Sequence, residues 1–204
     1  MEKEKRIVYH SGFVKIEEPD IHHGRKNADF GQGFYLSDNE EFCKRWAKFR
    51  KGEETMINRY ELDLNGLEVR YLKRDEEWFS YLYDNRHNKE DIYNDDVIIG
   101  PIANDTIYDT FGIISSGILS KEEAMTLLQI GPKYTQIVLK SEKAVRQLKW
   151  LDTRVLKQEE VSSYQKIVKE EEKEYQKLFT EAMSKMKKSA FSIETESTFY
   201  LCLI

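Results

Sequence analysis

The chain has 204 residues, a formal net charge of −5, and is 40% hydrophobic, 12% aromatic and 34% charged. That length and apolar share suit one domain with a proper core, or one domain plus an appendage, and exclude a disordered or fibrous chain. The acidic balance gives no electrostatic footprint for general nucleic-acid binding, and two widely separated cysteines, Cys43 and Cys202, exclude a disulfide framework.

The opening residues Met1 to Arg6 are charged, with no apolar signal region, and no apolar run approaches the ~18 residues of a membrane span. A soluble, cytoplasmic protein with free thiols is expected. Arg6-Ile7-Val8-Tyr9-His10 is β-branched and aromatic and predicts a strand, closed by Ser11-Gly12. His10 falls at the strand end, where side chains face a cleft or a core edge. Residues 13–28 form a loop-rich excursion. Its His22-His23 pair lacks a third ligand at a sensible spacing, so no metal is expected. Arg25 suits a phosphate or a structural carboxylate equally.

Asp29-Phe30-Gly31-Gln32-Gly33-Phe34-Tyr35-Leu36-Ser37 then reads as glycine loop and short buried strand, with Ser37-Asp38-Asn39 offering caps for the helix that follows. The two glycines serve either a tight turn or close approach to a ligand. A helix is expected from Glu40 to Arg50, with Phe42, Trp46 and Phe49 as its apolar stripe. Strands over 55–64 and 67–72 follow, separated by an Asn65-Gly66 turn, and then a helix over 75–85 capped by Asp75. Residues 96–105 read as a buried strand broken by Gly100-Pro101, with Asp105 the acid at its tip. Two helices are expected over 105–116 and 120–130, the second opened by a Ser120-x-x-Glu123 capping box. A strand over 134–140 places Gln136 and Val138 on one face, and a short helix is expected over 142–150.

From about Thr153 the composition changes. Residues 153–204 carry nine basic and nine acidic residues, so the net charge resides in 1–152. Val161, Tyr164, Val168, Tyr175, Leu178, Ala182 and Met186 mark a long amphipathic helix, packed on its own domain or offered to a partner. The expected domains are therefore 1–152 and a C-terminal helix with an apolar tail, 153–204.

Three stretches recur in a telling order: Tyr9-His10-Ser11-Gly12, Gly31-Gln32-Gly33-Phe34-Tyr35-Leu36-Ser37, and the strand around Gln136. The order resembles the His-Tyr-Glu group of ADP-ribosyltransferases, which includes diphtheria toxin and the poly(ADP-ribose) polymerases. With Gly24-Arg25, an Asn-Arg pair and Gly100-Pro101-Ile102-Ala103-Asn104-Asp105 added, residues 6–151 resemble more closely a bacterial family known as domain of unknown function 3990. The resemblance implies an α+β fold, with two small splayed sheets, mixed or antiparallel, around an NAD cleft, peripheral helices, and a long C-terminal helix outside it.

It implies NAD as substrate and transfer of a single ADP-ribose to a macromolecular acceptor, protein or nucleic acid, by a toxin or effector. His10, Ser11 and Gly12 would hold the adenine-side ribose, Arg25 the pyrophosphate, and Phe30, Gly31 and Gly33 would admit the cofactor near the backbone. Tyr35 would stack on the nicotinamide. Where the family pattern has a catalytic glutamate this chain has Gln136, which implies a restricted enzyme, one using Asp105 instead, or a module that only binds NAD or ADP-ribose and acts through its C-terminal helix. Hydrolysis of NAD is a further alternative. An antitoxin-like partner would sit on residues 157–187.

Overall fold

The computed structural model describes residues 4–47, 50, 52–103, 119–131 and 133–200, with the side chains of Lys121 and of residues 187–200 left out. The chain forms two compact units, Met1–Ile102 with Lys133–Lys169, and Ala103–Pro132 with Glu170–Ile204.

The first unit holds two sheets. Strands β1 (Lys5–Gly12), β3 (Met56–Asp63) and β7 (Leu148–Val155) form an antiparallel sheet in the order β1-β3-β7. Strands β2 (Phe34–Leu36), β4 (Val69–Tyr71), β5 (Val97–Pro101) and β6 (Thr135–Leu139) form a mixed sheet in the order β2-β6-β5-β4, parallel only between β4 and β5. An α+β architecture with two small sheets is thus observed.

Strand alternation sorts the side chains by face. Val8, Tyr60 and Leu62 of the first sheet meet Phe34, Leu36, Val97, Ile99, Ile137 and Leu139 of the second in one buried cluster. Apolar burial of this kind stabilises by roughly 1.5–3 kcal/mol per large side chain. On the opposite face of the four-stranded sheet, the register places Tyr35, Val138 and Ile98 in a row, with Gln136 and Gly100 one step along.

Helix α1 (Glu40–Arg45) starts where Asn39 accepts a hydrogen bond from the Phe42 amide, 2.9 Å. It stops at Trp46, short of the expected Arg50; Phe49 lies outside the described residues. Helix α2 (Glu76–Arg86) is capped by Asp75 as expected, and buries Trp78, Phe79, Tyr81 and Leu82. The expected helix over 105–116, the acid Asp105 and the tail beyond Tyr200 lie outside the described residues. Within the second unit, α3 (Lys121–Leu128) has both bonds of the Ser120–Glu123 capping box.

One expectation fails between 142 and 150. The helix there, α4 (Glu142–Arg146), is short, and Leu148 opens strand β7 instead. Leu148 and Trp150 alternate with polar residues at the period of two, and they pair with Leu62 and Tyr60 across a bulge at Arg59/Tyr60. No glycine or proline punctuates the change, which hid it from sequence. The strand crosses position 152, and helix α5 (Gln158–Tyr200) begins after it.

Leu156 and Val161 pack with Tyr9, Cys43, Ala47 and Ile57. Farther along α5, Tyr175 and Phe179 are buried and Leu178 is exposed, among the described side chains. The stripe takes the i+4 step after Tyr175 rather than the i+3 step to Leu178, which buries an aromatic ring. Among the described residues no helix is long and apolar enough to cross a membrane. Cys43 is buried, and that burial pushes its thiol up to about 12, so it stays protonated and unreactive.

Candidate functional site

The glycine loop is held by the protein on every side. The Tyr35 hydroxyl donates to the Gly31 carbonyl at 2.7 Å and accepts from the Phe30 amide at 2.9 Å, closing residues 30–35 on themselves. Burial, followed by nearby Asp29, pushes the Tyr35 phenol well above its ordinary range, so it stays a neutral donor. The Phe30 carbonyl accepts from Lys140 and from the Tyr81 hydroxyl. Lys140 pairs with Asp91 at 2.8 Å, and Asp91 accepts from Tyr81 at 2.9 Å. Asp29 pairs with Arg86 of α2 at 2.8 Å, with both side chains largely buried.

The same packing explains the glycines. Gly31 has φ +68, and a Cβ there would meet Asn85 Oδ1 at 2.8 Å. A Cβ on Gly33 would meet the Leu139 carbonyl oxygen at 2.6 Å, a contact that backbone cannot relieve. Close approach is thus required, but the approaching groups belong to the protein.

Three chain segments converge just beyond this loop. Ser37 exchanges two backbone hydrogen bonds with Tyr9, at 2.8 and 3.0 Å, and its hydroxyl donates to the Thr135 carbonyl at 3.1 Å. The middle of β1, the residue following β2 and the start of β6 are therefore joined at Ser37. Beside it, His10 Nδ1 lies 2.8 Å from the Tyr35 carbonyl, and its ring stacks on Phe34 with centroids 4.7 Å apart. A carbonyl only accepts, so Nδ1 carries the proton and donates. Burial lowers the His10 pKa from its ordinary 6.5, against the opposing pull of that hydrogen bond, which keeps the ring neutral. Its Nε2 is then an acceptor, used in no hydrogen bond among the described residues. Ser11 and Gly12 complete β1, with Gly12 next to His10 Nε2.

Gln136 is 6% exposed, and its Nε2 has no hydrogen-bond partner among the described residues. An amide left so costs ~1–3 kcal/mol. His10 and Gln136 do not share a face: His10 lies on the inter-sheet side with Phe34, whereas Tyr35 and Gln136 occupy the opposite side of the four-stranded sheet. They are connected around β2, the outer strand of that sheet, because His10 bonds the Tyr35 carbonyl at its edge. Arg25 is exposed and takes part in no hydrogen bond or ion pair among the described residues, although its charge is felt at the Tyr35 phenol.

This arrangement spans the segment that a family model matches, residues 6–150. The chain belongs to DUF3990, described as a protein family of unknown function. No curated protein and no solved structure matches it. The DUF3990 segment contains His10, the glycine loop, α2 and Gln136, and leaves out α5.

Sequence reasoning missed the ionic strap of Asp29, Arg86, Asp91 and Lys140 as a unit. Its partners are separated by 49 to 57 positions, so no local periodicity reveals them. It also missed that His22, with Asp20 and Glu142, forms a group whose ligand atoms lie within 4.8 Å of one another. All three are exposed, with no buried group fixing their geometry, as is ordinary for solvated surface residues.

Proposed function

We propose that this chain is an NAD-dependent mono-ADP-ribosyltransferase acting on a macromolecular acceptor. The observation that carries the reading is the convergence at Ser37 of the three strands bearing His10, Tyr35 and Gln136. Two unused nitrogens beside that junction, His10 Nε2 and the buried Gln136 Nε2, fit a ligand rich in hydroxyls. A bent dinucleotide straddling the β2 edge would meet His10 on one side and Tyr35 on the other.

In the reaction the bond between ribose C1′ and the nicotinamide nitrogen breaks, and its electron pair leaves with nicotinamide. A bond forms between C1′ and the acceptor nucleophile, whose proton passes to solvent. Neutral His10 accepts a hydrogen bond from a ribose hydroxyl through Nε2. The face of the Tyr35 ring packs on the nicotinamide, while its hydroxyl, committed to Gly31 and Phe30, keeps the ring in place. Gln136 donates a hydrogen bond but brings no negative charge to the oxocarbenium-like ribose, so turnover is slow.

The amide at 136 also favours a second reading, a module that binds NAD or ADP-ribose without turning it over. Incubation with NAD and cell lysate, measuring both nicotinamide release and mass added to macromolecules, separates these readings. Transfer gives both signals, hydrolysis gives nicotinamide alone, and binding gives only thermal stabilisation. For a transferase, Tyr35→Ala abolishes nicotinamide release in a folded protein, and Gln136→Glu raises it at least ~tenfold by supplying the missing charge. Unchanged release in Tyr35→Ala overturns the assigned residues.

A bacterial toxin or effector role, held by an antitoxin-like partner on residues 157–187, belongs to the same proposal. Val161, Tyr175 and Phe179 are already buried within this chain, so such a partner would grip the polar face of α5. Native co-purification that yields the chain alone counts against it.

A further inference from the structure

The first unit contains a cleft of about 420 Å³ whose lining includes four basic side chains, Arg6, Lys73, Arg74 and Lys133, against one acidic side chain, Asp38. In a chain of net charge −5 this is a local reversal of sign. Arg6 is paired with Glu4, and Arg74 donates to the Ile102 carbonyl at 2.9 Å. Lys73 and Lys133 are exposed, and their ammonium groups enter no hydrogen bond or ion pair among the described residues. Like charges lining one cleft without carboxylate partners repel one another, and an anion bound there relieves that repulsion.

Two aromatic rings complete the lining. Tyr71 is 54% exposed, and Tyr134 stacks on Phe42 with centroids 4.3 Å apart, which holds its ring in place. Cations tracking a phosphate chain with flat rings between them is the pattern that binds single strands, each stacked base contributing roughly 1–3 kcal/mol. The cleft also reaches Thr135 and Gly100, the chain neighbour and the ladder partner of Gln136. It therefore opens beside the candidate site without including Gln136 itself.

We propose that this cleft binds the phosphate backbone of a single-stranded nucleic acid, and that this strand is the acceptor. The acceptor role rests on the transferase reading above, whereas binding of the strand does not. Acidic composition elsewhere keeps general nucleic-acid affinity low and confines binding to this cleft.

The test uses the full chain, without NAD, and a fluorescein-labelled single strand of ~12 nucleotides, as DNA and as RNA, read by anisotropy. Binding of either strand is expected to weaken roughly tenfold between ~50 and ~200 mM salt. Lys73→Glu combined with Lys133→Glu is expected to weaken it at least ~tenfold, while Lys166→Glu combined with Lys169→Glu on α5 leaves it within about twofold. Absence of binding by both strands at low salt overturns the proposal. So does equal loss from the two double variants, or displacement of the strand by inorganic pyrophosphate as readily as by unlabelled oligonucleotide, which would make the cleft a small-anion site. Because no NAD is present, a catalytically inert protein still reports on the cleft. Nicotinamide release measured separately reports on the transferase reading.

Discussion

The glycine loop and the neighbourhood of Gln136 flank the same short strand, yet they treat their polar atoms in opposite ways. Around the loop, nearly every donor and acceptor is spoken for. Tyr35 closes the loop, Lys140 and Tyr81 hold the Phe30 carbonyl, and Arg86 holds Asp29. At Gln136 and His10, one nitrogen each is left over. The first region uses its chemistry to be rigid; the second retains chemistry that folding does not need. A buried amide without a partner carries a cost that a hydrogen bond to a ligand would recover.

The sharpest way to break this contrast is to cut the strap. Arg86→Ala leaves Asp29 charged and largely buried, and is expected to cost ~3–5 kcal/mol, read as a lowered urea midpoint. On the proposed transferase reading, nicotinamide release is expected to fall with it, because Tyr35 loses the support of its loop. A loss below ~1 kcal/mol would mean that water replaces the strap and the loop is not clamped.

A smaller effect is expected from pH. The folded His10 resists protonation, whereas the unfolded chain accepts the proton near 6.5. Its contribution to stability is complete above about 6.5 and declines as pH falls from there toward the lowered folded value. His10→Asn keeps a donor toward the Tyr35 carbonyl and removes the titration. Urea midpoints of the variant and the parent, measured at steps between neutral and mildly acidic pH, should converge as the pH drops. A constant gap would show that His10 does not titrate differently in the two states.

The smallest effect has the opposite sign. Gln136→Met removes the unpartnered nitrogen at similar volume and is expected to stabilise by about 1 kcal/mol while abolishing nicotinamide release. Gain of stability with loss of function would separate the two regions cleanly. A loss of stability would place Gln136 among the groups the fold requires.

Much of this was legible in the chain itself. The Asn39, Asp75 and Ser120 caps, the β1, β2 and β6 strands and the shared face of Gln136 and Val138 follow from local side-chain chemistry and period-two alternation. What was hidden depends on distance. Gly31 and Gly33 announce close approach, but only the fold shows that Asn85 and the Leu139 carbonyl are what approaches. The Asp29–Arg86 and Asp91–Lys140 pairs join elements with no common periodicity. The turn from helix to strand at Leu148 is decided by pairing with β3 rather than by local propensity, and the choice of Phe179 over Leu178 by burial rather than spacing.

The strand order has a consequence for the chain as it is made. β6 lies between β2 and β5 in one sheet, and β7 completes the other against β3, so both sheets wait for residues from the last third of the sequence. A nascent chain that has emerged only through β5 has an outer strand with nothing to pair against, and lacks both Ser37's hydroxyl partner and Gln136. Such long-range closure is slow compared with local folding. Assembly of the junction is thereby deferred until translation is well advanced.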